Sequence, residues 1–183
     1  MNSNNLATAE KDLIERVKSN KGDFLEIYEA YFQRIYNYAY YRTRNQNDAE
    51  EITSQTFLAA LENIQNFEYR NIPVAVWLYK IASNALTDLY RKKGRTVEMP
   101  QDYANEDSSC EPEQVVMGRS EKEQLIRQLN NLPPLQQQAL VLRYSQNFSH
   151  KEIAQIMDKT EGAVKQLLHR GLTCLRERMV HYV

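Results

Sequence analysis

The chain has 183 residues, of which 26% are charged, and its formal net charge is −1. A chain of this length forms one or two packed domains, and its apolar segments fall far short of the ~20 residues that cross a bilayer, so membrane insertion is not expected. Five glycines and five prolines are few, which disfavours a turn-rich β sandwich and favours long helices. A net charge near zero argues against nucleic-acid binding unless opposite charges are segregated along the chain.

The charges are segregated along this chain. Residues 1–95 carry 13 basic and 12 acidic side chains, residues 96–125 carry two and eight, and residues 126–183 carry eight and four. The middle segment contains Pro and Ser and lacks helical periodicity over most of its length, which is typical of a linker. We therefore predict an all-α fold with two helical domains, residues 1–95 and 125–183, joined by a flexible acidic linker over residues 96–124.

The first predicted helices follow an N-terminus that lacks the basic and apolar segments of a secretory signal, so a cytoplasmic protein is expected. Apolar periodicity predicts helices over residues 9–19 and 23–44. The buried stripe of the longer helix is expected to contain Phe24, Ile27, Tyr31, Ile35 and Tyr38. Further aromatic residues lie off this stripe, which indicates that the helix is covered on more than one side. They are Tyr28, Phe32, Tyr36 and Tyr40.

The next predicted helix begins at Asn47, the expected N-cap, with Glu50 at the capping-box position. Its buried face is expected to contain Ala49, Ile52, Thr56, Ala60 and Ile64. Asp48, Glu50 and Glu51 cluster in its first turn. They either stabilise the helix dipole or form an acidic docking edge for a basic partner, and periodicity leaves both interpretations open.

A loop over residues 66–73 precedes a helix predicted over residues 74–93, which Pro73 is well placed to open. Its apolar side is expected to contain Trp77, Leu78, Ile81, Ala82, Ala85 and Leu89, and its polar side Asn84, Thr87, Asp88 and Arg91. The helix ends in Arg91-Lys92-Lys93-Gly94-Arg95, with Gly94 as the expected C-cap. Four cations exceed what the helix dipole needs, so this end is a candidate phosphate-binding patch. Nearby aromatic faces for unpaired bases are Trp77, Tyr79 and Tyr90.

The second domain contains the pattern of a helix-turn-helix. A capping box from Ser149 to Glu152 opens a short helix over residues 149–157, and a longer helix follows over residues 161–179. The motif needs a small residue where the helices cross, a turn residue that tolerates the left-handed conformation, and apolar residues on the facing sides. These positions hold Ala154, Asp158, and Ile153, Met157, Val164 and Leu167. The pattern favours a DNA-binding motif over a coincidental helical hairpin.

The second helix of this motif is expected to enter the major groove. Its candidate groove-facing residues are Lys165, Gln166, His169 and Arg170, with Thr160 and Glu161 at its start. Lys and Arg can donate to guanine or phosphate, and Gln can pair with adenine. Arg143, on a helix predicted over residues 134–144, is a candidate contact to the DNA backbone. No metal site, other cofactor site or catalytic constellation is found, so an enzyme is not expected.

Two sets of motifs point to one family. The second domain contains Leu-Pro-Pro-Leu-Gln-Gln-Gln-Ala-Leu-Val-Leu-Arg-Tyr at residues 132–144, Ser-His-Lys-Glu-Ile-Ala at 149–154, Gly-Ala-Val-Lys at 162–165 and His-Arg at 169–170. The first domain contains Asp-Ala-Glu-Glu-Ile at 48–52 with Phe57, and Trp-Leu-Tyr-Lys-Ile-Ala-Ser-Asn at 77–84 with Asp88 and Arg-Lys-Lys at 91–93. These sets resemble region 4 and region 2 of bacterial extracytoplasmic-function sigma factors of the sigma-70 superfamily. The resemblance covers about residues 10–95 and 125–180.

The resemblance implies an alternative sigma factor, a subunit that binds core RNA polymerase and directs promoter-specific initiation. The implied contacts to the clamp helices of the largest polymerase subunit are Asp48, Glu50, Glu51, Gln55 and Phe57. The implied contacts to the −10 element, where one flipped base of the non-template strand is captured, are Phe67, Tyr69, Arg70, Asn71, Trp77, Asn84, Asp88, Arg91, Lys92 and Lys93. The implied contacts to the −35 element are Arg143, Thr160, Glu161, Lys165, Gln166, His169 and Arg170. The resemblance also implies the polymerase flap and promoter DNA as partners, and allows an anti-sigma factor.

Departures from the family pattern limit this inference. Ala163 and Gln166 replace the Thr and Ser that are common at these positions, so the −35 sequence cannot be transferred. Residues 67–74 differ from the commoner Arg-Gly-rich loop, which leaves the captured base open. From the residues alone, two other functions also remain: a free-standing helix-turn-helix regulator that needs only the second domain, and an interaction module without a DNA role.

Overall fold

The computed structural model describes residues 3–69, 72–94 and 121–180. Helices account for most of these residues and no strand occurs among them, so the predicted all-α fold is confirmed. The chain divides into two compact units, one formed mainly by the helices up to Lys92 and the other mainly by the helices from Glu121 onward. Almost all of the predicted linker, residues 96–120, lies outside the described residues, as do Arg70, Asn71 and Arg95.

Among the described residues, four α-helices lie in the first unit and four lie wholly or mainly in the second. The first four are α1 (Ser3–Ser19), α2 (Phe24–Thr43), α3 (Gln46–Asn63) and α4 (Val74–Lys92). The others are α5 (Glu121–Asn130), α6 (Pro134–Leu140), α7 (His150–Met157) and α8 (Glu161–Val180). Single 3₁₀ turns occur at Lys21–Asp23 and Ile64–Asn66. Within the described ranges, no helix combines the length and apolar character that crossing a bilayer requires.

The turn between α2 and α3 corrects the predicted helix start. Arg44 adopts a left-handed conformation with φ of 53° and ends α2. Asn45 then takes the extended backbone of an N-cap, and its Oδ1 accepts a hydrogen bond from the Asp48 N–H at 3.0 Å. The predicted cap at Asn47 is therefore wrong by two residues, because the chain reverses before Asn45. Glu50 forms no capping box and instead accepts a hydrogen bond from Gln46 Nε2 at 2.8 Å.

The core of the first unit lies between α2, α3 and α4. The predicted buried face of α3 is confirmed, since Ala49, Ile52, Thr56, Ala60 and Ile64 are all buried. The hydroxyl of Thr56 donates to the Ile52 carbonyl, so this polar group is satisfied inside the core. Helix α2 packs against both α3 and α4.

Tyr79 is not an exposed face for base stacking, as the sequence had suggested. Its ring is fully buried against Tyr38, with the centroids 5.1 Å apart, and its hydroxyl donates to the Arg34 carbonyl. Burial raises the pKa of Tyr79 well above its usual value. Its neighbours at helical spacing, Ala75 and Leu86, are also buried. The buried face of α4 is thus displaced from the predicted apolar side: Leu78, Ala82 and Leu89 are buried as predicted, whereas Trp77, Ile81 and Ala85 are only half-buried.

The second unit differs from prediction in the segment before the helix-turn-helix. The helix predicted over residues 134–144 is α-helical only as far as Leu140 and continues as a π-helical turn over Val141–Ser145. Helix α6 packs closely on α8, where Gly171 faces Leu140. A Cβ at position 171 would lie only 2.9 Å from Leu140 Cδ1. Glycine thus allows the close approach of these two helices without displacing the Leu140 side chain.

Candidate functional site

The helix-turn-helix begins with the predicted capping box. Ser149 Oγ accepts a hydrogen bond from the Glu152 N–H, and Glu152 Oε2 accepts one from the Ser149 N–H at 2.7 Å. Asp158 ends α7 in the left-handed conformation, with φ of 52°, and its N–H donates to the Ala154 carbonyl. This confirms the role predicted for Asp158, since short polar side chains tolerate that conformation better than most.

The apolar residues predicted for the motif are all buried. They are Ile153, Met157, Val164 and Leu167. Thr160 lies just before α8, and its Oγ1 accepts a hydrogen bond from the Ala163 N–H at 3.1 Å. Thr160 thus caps the helix that carries the candidate base contacts, and Glu161 in the first turn complements the positive end of the helix dipole.

One stripe of α8 carries polar side chains that point to solvent. Lys165, Gln166, His169 and Arg170 are all exposed, and we call them the recognition face. They recur at helical spacing, opposite the buried residues Val164, Leu168 and Gly171. Thr160 and Glu161 are exposed at the start of the same helix. The sequence-predicted −35 residues of α8 therefore share one accessible surface.

Arg143 lies apart from α8, in the π-helical turn. Its guanidinium Nη1 donates to the carbonyl of Phe148 at 2.9 Å, and the side chain is half-buried. Phe148 is itself buried immediately before the capping box at Ser149. Arg143 thus braces the segment that leads into α7, a structural role that the sequence did not reveal.

The candidate −10 surface lies on α4 and the loop before it. Phe67 is buried and packs on Trp77, with ring centroids 4.5 Å apart, and Tyr69 and Trp77 are half-buried. Asn84, Asp88 and Arg91 follow on α4, all exposed and at spacings that place them on one side of the helix.

Two of the cations at the basic end of α4 are already paired with carboxylates. Arg91 donates to Asp88 at 2.8 Å, and Lys93 Nζ lies 2.6 Å and 2.7 Å from the two carboxylate oxygens of Asp48. Lys92 is exposed and has no ion-pair partner among the described residues. The structure therefore pairs two candidate DNA-binding cations with carboxylates of the same unit.

The candidate docking edge on α3 is only partly exposed. Glu50, Glu51 and Gln55 point to solvent, and Gln55 Nε2 donates to Glu51 at 2.8 Å. Asp48 has a side-chain exposure of only 16% because Lys93 covers it. Phe57 is buried, and its ring contacts Tyr28, with centroids 4.8 Å apart.

Phe57 forms the floor of an apolar groove that the sequence analysis missed. We call it the docking groove, and its lining includes Phe24, Leu25, Tyr28, Phe32, Phe57 and Leu58, with Glu50 at its edge. Leu25 and Leu58 are 58% and 56% exposed, an unusual exposure for side chains that prefer the interior. The available signal was the off-stripe aromatic series at spacings of four, from Tyr28 onward. That series indicates a partner surface as readily as an intramolecular one.

Glu10 is a second residue that sequence reasoning missed. Its half-buried carboxylate accepts a hydrogen bond from the Tyr31 hydroxyl at 3.4 Å and faces the backbone N–H of Val74, the first residue of α4, which favours its charged form. Helix starts leave such N–H groups without partners, and Pro73 supplies no side-chain cap. Burial raises the pKa of Glu10, and burial together with the nearby Glu10 charge raises the pKa of Tyr69. Glu10 thus anchors α1 to the start of α4, beside the candidate −10 loop.

Comparisons with known proteins find matches to both units of the chain. The family model described as Sigma-70 region 2 matches residues 27–96, and that described as Sigma-70, region 4 matches residues 122–175. The ECF RNA polymerase sigma factor BldN of Streptomyces coelicolor is 33% identical over 167 residues, covering 90% of this chain and 63% of BldN. The ECF RNA polymerase sigma factor SigW of Bacillus subtilis is 29% identical over 180 residues, covering 92% of this chain and 96% of SigW.

The fold also matches that of a solved sigma factor. RpoE from Bartonella quintana, crystallised with the anti-sigma factor NepR, gives a TM-score of 0.67 at 24% identity, covering 86% of this chain and 96% of RpoE. This chain spans less than two thirds of the length of BldN. Since the region 2 and region 4 matches occur in order and together span most of the chain, the protein belongs to the sigma-70 family, and it is similar to extracytoplasmic-function sigma factors over most of its length.

Proposed function

We propose that this chain is an alternative sigma factor that binds core RNA polymerase and directs it to a specific set of promoters. The observation that carries the proposal is the presence, on one chain, of an exposed helix-turn-helix recognition face and an apolar docking groove with an acidic edge. A free-standing regulator needs the first feature but has no use for the second. The proposed function is that of a regulator without catalytic chemistry, and it implies a chain that acts with polymerase in the cytoplasm.

The docking groove suits a helical partner with apolar and basic side chains. Its exposed leucines and aromatic rings can accept the apolar face of such a helix, while Glu50 and Glu51 can pair with its cations. The clamp helices of the largest polymerase subunit are the expected occupant. The same surface is a candidate site for an anti-sigma factor, which would then compete with polymerase.

The α4 surface is proposed to hold the melted −10 element. Extracting a base from the duplex costs a few kcal/mol, which stacking and hydrogen bonds in a pocket can offset. The Phe67–Trp77 pair offers aromatic surface, and Asn84 offers an exposed amide that can donate and accept. Arg70 and Asn71 complete the proposed −10 set, and Lys92 is the cation best placed to meet phosphate.

The recognition face of α8 is proposed to read the −35 element in the major groove. Lys165 and Arg170 can donate to guanine or phosphate, and Gln166 can pair with adenine. Because the helix is capped by Thr160 and its other face is buried, these side chains are held on a rigid support. The flap of polymerase is the expected partner that places this unit at the correct distance from the −10 element.

Run-off transcription tests the proposal directly. Purified chain mixed with core polymerase should initiate on genomic fragments at a restricted set of starts, and the upstream sequences should share two spaced elements. Core polymerase alone should give none of these transcripts. If the chain does not co-elute with core polymerase yet binds duplex DNA tightly on its own, the free-standing regulator is the correct function.

The docking groove offers a sharper variant. Leu58→Asp places a charge in the groove at a position that is already exposed, so the fold should be retained and core binding should weaken about tenfold or more. Leu172→Asp is the matched control, because Leu172 is 36% exposed on α8 and lies outside the groove. Equal core affinity for the two variants would contradict the assignment of the groove.

A further inference from the structure

The end of α4 is fastened to the turn between α2 and α3 by two contacts that are distant in sequence. The Tyr90 hydroxyl donates to the Arg42 carbonyl at the end of α2. Lys93 Nζ donates to both carboxylate oxygens of Asp48 in the first turn of α3. Three helix ends therefore meet at this point, which we call the corner.

The Asp48–Lys93 pair suits the corner electrostatically. Asp48 lies in the first turn of α3, where the helix dipole is positive, and Lys93 is the C-cap of α4, where it is negative. Each charge therefore complements its own helix as well as its partner. Asp48 is largely covered, with 16% of its side chain exposed against 42% for Lys93.

This geometry points away from the roles that the family resemblance implies for the two residues. A carboxylate that is largely covered and already paired is a poorer docking contact than the exposed Glu50 and Glu51. Lys93 must break two short hydrogen bonds before it can meet a phosphate, whereas its neighbour Lys92 is exposed. Both residues are therefore better placed to act on each other than on a partner.

We propose that Asp48 and Lys93 are a positioning pair, which holds the basic end of α4 against the polymerase-docking helix α3. The pair fixes the direction of the −10 surface relative to the docking groove, so that a sigma factor seated on polymerase presents Lys92 and Asn84 to the displaced strand. This inference rests on the proposed sigma function and assigns two of its residues to positioning rather than to contact.

A charge-reversal cycle tests the pair in assembled holoenzyme. The variants are Asp48→Lys, Lys93→Asp and the double variant, with Lys92→Asp as the adjacent charge control and Lys11→Asp as an exposed control on α1. The readouts are affinity for a single-stranded −10 oligonucleotide taken from a mapped promoter, affinity for core polymerase, and thermal unfolding. Wild-type protein and Lys11→Asp report on the sigma function itself, so its failure is recognised separately.

If Asp48 and Lys93 form a positioning pair, reversing both charges should restore the oligonucleotide affinity that each single reversal weakens. Each single reversal should weaken oligonucleotide binding about fivefold, the upper range for an exposed ion pair, with less change in core affinity. The double variant should recover most of the oligonucleotide affinity, although its melting temperature should stay below that of wild type because both reversed charges oppose their own helix dipoles. Lys92→Asp should also weaken binding, and adding Asp48→Lys should not restore it. Rescue of oligonucleotide affinity is a readout that loss of stability alone would not give.

Three results would overturn the proposal. A double variant as weak as Lys93→Asp, with a reduced salt dependence, would make Lys93 a direct phosphate contact. A loss of core affinity in Asp48→Lys that Lys93→Asp does not restore would make Asp48 a polymerase contact. Equal losses of oligonucleotide and core affinity that track the melting temperature would reduce the pair to a general stabilising contact.

Discussion

The two units present their candidate DNA contacts in different ways. In the second unit, the recognition face is one exposed stripe of a single helix, opposite buried residues such as Val164 and Leu168. In the first unit, the candidate −10 contacts come from α4 and the loop before it, some of them contact one another, and Lys93 is paired with Asp48 of α3. A surface on one helix follows from helical period alone. A surface shared by several helices depends on tertiary contacts that the period does not encode.

Removing the two strongest donors of the recognition face should give the largest effect. Lys165→Ala with Arg170→Ala should lower transcription from a −35-dependent promoter by about 30-fold or more, because two well-formed base contacts of roughly 1–3 kcal/mol each together contribute at least ~2 kcal/mol. Both side chains are exposed, so the melting temperature should not change. Run-off transcription measures the effect, with exposed Arg176→Ala on the same helix as the control. Equal loss on a template lacking the −35 element would contradict the assignment.

Asn84→Ala should impair promoter melting, the function proposed for the first unit, and should spare −35 binding, the function proposed for the second. Loss of its amide should lower promoter melting about tenfold, since the hydrogen bonds that offset base extraction are lost, while binding to the −35 element should be unchanged. Permanganate reactivity of unpaired thymines measures melting, and a −35 duplex probe measures binding. Thr87→Ala, at an exposed position of the same helix, is the control. Equal loss in both assays would break the division of labour between the units.

Two glycines of α8 should respond in opposite directions. Gly171→Ala should lower the free energy of unfolding by about 1 kcal/mol, because the cost of displacing the buried Leu140 side chain, 2.9 Å from the new methyl group, exceeds the gain in helix propensity. Gly162→Ala should raise it by ~0.5–1 kcal/mol, since its Cβ would lie 3.8 Å from Thr160 Oγ1 and alanine favours helix. Urea unfolding measures both. Similar stability of the two variants would show that α6 and α8 do not pack as described.

The smallest effect is a pH dependence in the first unit. Burial raises the pKa of Glu10 in the folded state, so the folded protein binds this proton more tightly than the unfolded chain. The associated stability is present at acidic pH and is lost as pH rises through the folded pKa. Glu10→Gln keeps an acceptor for the Val74 N–H without a charge, so its stability relative to wild type should increase from pH 4.5 to pH 7.5.

Glu26→Gln is the matched control, because the hydrogen bond from Arg16 lowers the pKa of Glu26. Its carboxylate stabilises the fold above the unfolded pKa, and this contribution is lost as pH falls, so Glu26→Gln should become less stable relative to wild type as pH rises. Urea unfolding at several pH values measures both slopes. Parallel curves for wild type and Glu10→Gln would show that Glu10 is not buried in solution.

Local patterns predicted the parts of the fold that local chemistry determines. The capping box at Ser149 and the left-handed turn at Asp158 depend on a few neighbouring residues, and both are confirmed. The predicted start of α3 was wrong because two asparagines, Asn45 and Asn47, suit an N-cap equally well. The left-handed conformation of Arg44 ends α2 and makes Asn45 the N-cap. A left-handed conformation is uncommon for arginine, so the sequence pattern does not predict it.

The candidate site was predictable to the extent that it lies on one helix. The recognition face was found in full, whereas the docking groove and Glu10 were missed because each depends on helices that are distant in sequence. Tyr79 was misplaced because the buried face of α4 is displaced from the predicted apolar side. The roles of individual residues on these surfaces remain predictions for the variants described above.

The number of residues in the π-helical turn at Val141–Ser145 helps to set the direction in which α8 is presented. A π-helical turn accommodates about one residue more than an α-helical turn, and each residue of an α-helix rotates the chain by about 100° around the helix axis. The direction in which the chain leaves α6 is therefore set by the extra residue of this turn. The hydrogen bond from Arg143 to the Phe148 carbonyl stabilises that direction. An insertion or deletion in this turn should therefore change the orientation of α7 and α8 without changing any residue of the recognition face.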